Sequence, residues 1–190
     1  MIKYKSKLLS SVEGISYNFG SKSSMPIKED VFTLNQIHSD KVIFLKNTDK
    51  NYEPFDGDAI ITTQKRFNIG VKTADCVPIL LTDINATFVA AIHSGWRGTY
   101  HKIIVNVLDL IFKELMIKPE NIIGCLGPSI SLENYEVSKD MWIKFKKKFI
   151  NSDSFIKEKN NKFFIDLSRI NIFLLKSLGV SKIDIINECT

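Results

Sequence analysis

Short apolar runs rich in β-branched residues recur along this chain, each four to seven residues long and bounded by turn-forming residues. Such runs read as strands of a layered sheet protein. They are Val31–Leu34, Lys41–Leu45, Ala59–Thr62, Ile69–Thr73, Val77–Thr82, Thr87–Ile92, Asn121–Gly127, Lys162–Asp166 and Lys182–Asn187. Helical periodicity interrupts them. Over Thr99–Leu115, Ile103, Ile104, Val107, Leu108, Ile111 and Leu115 fall on one face, and Pro119 stops the pattern. Ser138–Phe149 predicts a shorter basic helix. Leu167–Leu178 predicts a third, with Asp166 as its N-cap and Gly179 as its stop. Strands dominate the first half, and helices alternate with strands in the second. The pattern predicts a mixed α/β (α+β) fold: a single-domain layered sandwich over residues 1–190, its mixed sheet flanked by helices.

Composition narrows the function classes. No apolar run reaches the ~18 residues of a membrane helix. The opening MIKYKSKLLSSVEG lacks the apolar core of a signal peptide, so a cytoplasmic location is the expectation. The net charge of +5 comes from lysine; the arginines are Arg66, Arg97 and Arg169. Nucleic-acid readers favour arginine for its bidentate fork. The densest basic stretch, Lys144–Phe149, suits the polar face of a helix. Neither a nucleic acid nor a membrane is expected as a partner. Cys76, Cys125 and Cys189 are an odd, widely spaced set with no CxxC pair, which argues against a disulfide framework. Each is a core residue, a nucleophile or a metal ligand.

Scarce, reactive side chains gather at strand ends. Cys76 precedes the apolar strand Val77–Thr82, and His93 follows Thr87–Ile92. A hairpin through Asp83-Ile84-Asn85-Ala86 would bring the two to one end of the sheet. A Cys and a His meeting there make either a nucleophile with its base or two metal ligands. His38, in the turn LNQIHSDKV, offers a third ligand at another strand end. His101, opposite an apolar helix stripe, reads as a surface residue. Two imidazoles and a thiolate suit Zn²⁺, with a fourth position left open; copper is also compatible with these donors. The segment Ser94-Gly95-Trp96-Arg97-Gly98-Thr99 completes the cluster. Its glycines admit backbone amides to an anion, Arg97 can clamp phosphate or carboxylate, and Trp96 can stack or pack. Gly127–Val137 is a further Gly/Pro loop, whose Tyr135 and Glu136 face either a cleft or a core.

Gln36-Ile37-His38-Ser39, Gly57-Asp58-Ala59-Ile60-Ile61-Thr62, Thr73-Ala74-Asp75-Cys76-Val77-Pro78, Ile92-His93-Ser94-Gly95-Trp96-Arg97-Gly98-Thr99, Gly127-Pro128-Ser129-Ile130 and Tyr135-Glu136-Val137 follow in that order. Together they resemble the laccase-domain polyphenol oxidase family, whose members are also described as purine nucleoside phosphorylases. The resemblance covers roughly residues 30–190. It implies a mixed α/β sandwich and a metal site formed by His38, Cys76 and His93. It also implies phosphorolysis of adenosine, inosine, guanosine and methylthioadenosine, adenosine deamination, and an older label of phenol oxidation. Two places depart from the family pattern: of its Gly-rich opening only Asn18-Phe19-Gly20 is matched, and its aromatic-Ser-x-Arg-Arg segment does not follow Cys189-Thr190.

The three histidines present are too few for a multicopper cluster, so zinc is preferred over copper. The zinc-deaminase pattern H-x-E with P-C-x-x-C is also missing. The expected enzyme is a zinc-dependent purine nucleoside phosphorylase, its partners a purine nucleoside and phosphate. Cys76, His93, Asp75 and Arg97 are its expected catalytic residues. Asp58 or Asp75 would bind ribose or orient a ligating histidine. Two rivals stand beside this reading: a cysteine hydrolase using Cys76 and His93, and a structural zinc site with Asp75 as fourth ligand.

Overall fold

The computed structural model describes residues 4–20, 31–46 and 55–190. Among these the chain begins with α1 (Lys7–Ser10), β1 (Val31–Thr33), β2 (Val42–Leu45), β3 (Ala59–Thr62), β4 (Asn68–Gly70), β5 (Val77–Asp83) and β6 (Val89–Ser94). It continues with α2 (Trp96–Tyr100), α3 (Ile103–Leu115), β7 (Ile122–Leu126), β8 (Glu136–Val137), α4 (Lys139–Lys148), β9 (Ile156–Lys159), β10 (Lys162–Ile165), α5 (Leu167–Ser177) and β11 (Lys182–Ile185). Each run expected to be a strand forms one, with ends shifted by a few residues. The architecture is the expected mixed α/β sandwich.

A six-stranded sheet in the order β11-β7-β5-β6-β3-β2 is its frame. β5 and β6 form the expected antiparallel hairpin, with Pro78 opposite His93 and Val77 opposite Ser94. The hairpin closes on Asp83, whose carboxylate accepts from Thr87 N–H and Oγ1–H, with Ala86 left-handed at φ +53°. β3 lies antiparallel to the other side of β6, and β2 runs parallel to β3. β5, β3 and β2 therefore all start at the sheet end where β6 finishes.

Strand alternation sorts side chains onto the two faces. Val77, Ile79, Leu81, Ala59, Ile61, Ala90 and Ile92 join the main core with the apolar faces of α3 and α5. On the opposite face, Ile123 and Cys125 bury themselves against Leu9, Val12 and Phe19. Further along that face, Ile60 packs with Leu34, Leu45 and flanking residues of the two-stranded sheet β1-β4. Cys125 is thus a core residue, its thiol pushed up to about 12 by burial.

The expected single helix over Thr99–Leu115 is two helices. α2 starts earlier, at Trp96, and the chain turns at His101–Lys102, where Lys102 is left-handed at φ +61°. α2 is tied down separately from α3. Thr99 shares a buried hydrogen-bond ring with Ser94 and Asn171, and Gly98 lies against the Ser39 carbonyl. The left-handed turn lets the apolar stripe of α3 lie over β2 and β3 all the same.

β8 and β9 were not expected. They flank β10 in a three-stranded antiparallel sheet. β9 and β10 join through Asn160-Asn161, both left-handed at φ +53° and +60°. That is the backbone habit of a two-residue hairpin turn, for which asparagine is suited. α4 packs on this sheet with Trp142 against Phe163, and Ser138 caps its start by accepting from the Met141 amide. Asp166 caps α5, accepting from Arg169 N–H at 2.8 Å, and Gly179 follows that helix at φ +97°. No helix among the described residues is long and apolar enough to cross a membrane.

Candidate metal centre at one end of the sheet

The sheet topology delivers the ligands. Cys76 enters β5, His93 is the penultimate residue of β6, and His38 sits in the loop ahead of β2. Their ligand atoms all lie within 4.8 Å of one another, the only such group of possible metal-binding side chains among the described residues. The His38 and His93 rings meet edge-on at 81°, with centroids 4.8 Å apart. Exposure is graded across the site: His93 is buried, Cys76 half-buried and His38 exposed. The site is reached from solvent on the His38 side.

Asp58, at the start of β3, organises the site. Its side chain is fully buried. Oδ1 accepts from His93 Nδ1 at 2.8 Å and from the His38 amide at 3.0 Å. Oδ2 accepts from the Ser39 amide at 2.6 Å and the Ser39 hydroxyl at 2.7 Å. Burial pushes the Asp58 pKa up, but the hydrogen bonds from His93 and Ser39 outweigh it, and the net shift is below the usual carboxylate value. Asp58 is ionised at neutral pH, so the proton between it and His93 sits on Nδ1. Nε2 is the His93 ring nitrogen that Asp58 leaves unengaged.

The His38 loop is pinned on both sides. Gln36 exchanges two hydrogen bonds with the Lys72 backbone, at 2.8 and 2.7 Å. His38 itself is left-handed at φ +57°, a conformation that side chains adopt only when their surroundings require it.

The Gly-Trp-Arg-Gly turn serves packing. Gly95 has an ordinary φ of −73°. A Cβ there would lie 2.8 Å from Cys76 Sγ and 3.4 Å from His38 Cδ2; one at Gly98 would lie 3.1 Å from the Ser39 carbonyl. These glycines let α2 close onto the ligands. Trp96 is half-buried against the main core. Arg97 is exposed, its guanidinium carbon 4.5 Å from the centre of the Trp96 ring. Behind His93, Ser94, Thr99 and Asn171 form a closed, fully buried ring. Ser94 Oγ donates to Asn171 Oδ1 at 2.9 Å, Asn171 Nδ2 donates to Thr99 Oγ1 at 3.0 Å, and the two hydroxyls are 2.9 Å apart.

Asp75 does not join the ligand set. Its side chain is exposed and accepts from Thr190 Oγ1 at 3.2 Å. The Glu188–Thr190 segment runs beside the Gly127 loop, where Ser129 N–H donates to Glu188 O and Ser131 N–H to Cys189 Sγ. Burial raises the Cys76 thiol above its usual range, and the charges of Asp75 and Asp58 raise it further. Tyr135 takes both roles open to it: it packs on the main core and stands close enough to Cys76 and Asp75 for them to add to the burial that pushes its hydroxyl up to about 12. Glu136 faces solvent and pairs with Lys162 at 2.8 Å. His101 is exposed, as expected.

The donors fit zinc chemically. A tetrahedral zinc holds N and S ligands roughly 3.3–3.6 Å from each other, so a small closure of this group suffices. The Asp58 carboxylate behind His93 is the support that ligating histidines ordinarily have.

The sequence pattern of one family, described as multi-copper polyphenol oxidoreductase laccase, matches residues 15–190. The chain belongs to this family. Among its relatives, the purine nucleoside phosphorylase of Aquifex aeolicus is 38% identical over 163 residues, 86% of this chain and 72% of that one. A purine nucleoside phosphorylase of Rickettsia prowazekii is 30% identical over 189 residues, 98% of this chain and 73% of that one. The crystal structure of the Neisseria meningitidis protein NMB0706 superposes with a TM-score of 0.74 at 30% identity, covering 84% of this chain and 64% of that one. The chain thus spans between 64% and 73% of the length of these three family relatives.

Proposed function

We propose that the cleft at the end of β5, β6 and β3 is the centre of a zinc-dependent purine nucleoside phosphorylase. The observation that carries this is the convergence of His38, Cys76 and His93 on one point, backed by a buried carboxylate, in a chain whose relatives bear that enzyme's name. His38 Nε2 or Nδ1, Cys76 Sγ and His93 Nε2 would hold the ion. When bound, zinc supplies a Lewis acid and positive charge on the buried side of the cleft.

Phosphorolysis joins a phosphate oxygen to ribose C1′ while the C1′–N9 bond breaks; the bonding pair leaves with the purine, which takes up a proton. The chain must hold an anion beside the nucleoside and keep the ligands still. Arg97 is suited to holding the anion, because its guanidinium is exposed, steadied on Trp96, and offers a planar fork to phosphate. Asp58 and the Ser94–Thr99–Asn171 ring keep the ligands still. Adenosine, inosine, guanosine and methylthioadenosine are the substrates this reading names, and deamination of adenosine is a side reaction to be scored in the same assay. The reading takes the enzyme to be cytoplasmic, in keeping with its three free thiols.

The cysteine-hydrolase alternative fits less well. A cysteine–histidine dyad has no need of a third donor, and His38 converges on Cys76 and His93 here. A structural four-ligand site would need a fourth protein donor, and Asp75 does not join the group.

The test follows adenine release from adenosine on zinc-loaded protein, with and without phosphate, for wild type and Cys76→Ala. Phosphate-dependent adenine from wild type alone supports the reading. Phosphate-independent products, or equal activity in Cys76→Ala, would sink it.

A further inference from the structure

We infer that Asp58 is the positioning residue that assembles the metal centre before an ion arrives, setting both histidines through one carboxylate. This rests on the reading of His38, Cys76 and His93 as ligands. It deepens that reading: a single carboxylate serves both histidine-bearing segments.

The four acceptor contacts of Asp58 divide between the two ligand-bearing segments. One oxygen takes the Nδ1 proton of His93 and the His38 amide; the other takes the Ser39 amide and hydroxyl. An ionised carboxylate has only acceptor sites, and four donors match its capacity. Two results follow. Asp58 engages Nδ1 of His93, so Nε2 is the ring nitrogen left to ligate. The His38–Ser39 backbone is held in the left-handed turn that directs the His38 ring onto the His93 ring.

The carboxylate is itself immobile. Asp58 N–H donates to Lys41 O at 3.0 Å, and Asp58 O accepts from His93 N–H at 2.7 Å. The side chain is out of reach of water. Among the described residues its ion-pair partner is His93 alone, with no lysine or arginine beside it. A buried negative charge is costly in isolation. A dication held through His93 would offset that charge.

Asp83 provides a control. It too is a buried carboxylate with matched donors, Thr87 N–H and Oγ1–H, but it closes the β5–β6 turn at the opposite end of the hairpin. The experiment compares zinc affinity, by competition with a chromophoric chelator, in wild type, Asp58→Asn and Asp83→Asn. Unfolding midpoints are recorded for each, and nitrogen-15 NMR of the metal-free wild type reads the His93 tautomer. Asn keeps the size of Asp58 and one acceptor but presents an NH₂ to the Ser39 donors.

Zinc affinity is expected to fall about 10–100-fold in Asp58→Asn and to stay within about threefold of wild type in Asp83→Asn, whatever either does to the melting temperature. Metal-free wild type is expected to hold His93 as the Nδ1–H tautomer. A folded Asp58→Asn with wild-type zinc affinity overturns the proposal. So does a metal-free wild type whose His93 is protonated at Nε2 or divided between tautomers, and that readout decides even if Asp58→Asn fails to fold. Wild type that takes up no zinc would overturn the ligand assignment itself. Phosphorolysis enters none of these readouts, so a failure of the proposed reaction shows up separately.

Discussion

At Gly95 the reason for a glycine is spatial. Its φ is ordinary, but a methyl group would press on Cys76 Sγ. Gly95→Ala is expected to weaken zinc binding and to cost about 1–3 kcal/mol of overpacking strain, read by chelator competition and urea unfolding. Unchanged zinc affinity would mean that Cys76 does not ligate in the position it occupies here. Asn171 illustrates what is harder to read at this scale. It is fully buried on the apolar stripe of α5 among Leu167, Ile170, Leu174 and Leu175. A polar residue at a core position of the helical period is a legible signal, but its partners Ser94 and Thr99 are far away in sequence. Asn171→Ala is expected to cost about 1–3 kcal/mol, because it strands buried hydroxyls; a loss under about half a kcal/mol in urea unfolding would contradict that. The convergence of His38, Cys76 and His93 was legible because histidine and cysteine are scarce and stand at strand ends. The role of Asp58 was legible only as one of two options shared with Asp75. Choosing between them takes the register that sets β3 beside β6.

Elements whose signals are local match the structure most closely. The hairpin of β5 and β6, the cap of α5, and the strand at Ala59–Thr62 all lie where residue patterns put them. Asp166→Ala is expected to cost about 0.5–2 kcal/mol, since the cap it removes satisfies the Arg169 amide; the readout is the thermal midpoint against wild type. The split between α2 and α3 had no comparable signal. Apolar spacing runs through it, and a left-handed lysine is not a residue choice that marks a break. Tertiary contacts impose that turn: Thr99 is anchored to α5 through Asn171, and Gly98 to the His38 loop. The β9–β10 hairpin did carry a signal, in the Asn160-Asn161 pair between two strand-like stretches. The charged faces of β9 obscured it, since Lys157, Glu158 and Lys159 are all exposed.

At the scale of the whole molecule, strand order makes the site. Placing β6 between β5 and β3 gathers the start of two strands and the end of a third at one edge, with the β2 loop beside them. The sequence could pair β5 with β6 by proximity, but the insertion of β3 beside β6 is a long-range contact that no local pattern encodes. The same topology carries the end of β7 and the segment after β11 to this edge, where Ser129–Ser131 and Glu188–Thr190 bond to each other and Thr190 to Asp75. One end of the sheet therefore carries the candidate site, and the turn at Asp83 lies at the other.

The most direct test of the account is a zinc titration of metal-stripped protein, wild type and His38→Ala, paired with phosphorolysis of adenosine by the same samples. His38 is the ligand that a cysteine–histidine dyad would not need. The account predicts one zinc per wild-type chain, and a joint loss of zinc affinity and phosphorolysis in His38→Ala. If His38→Ala retains both, the centre described here is not a metal site that drives the reaction, and the central claim is wrong.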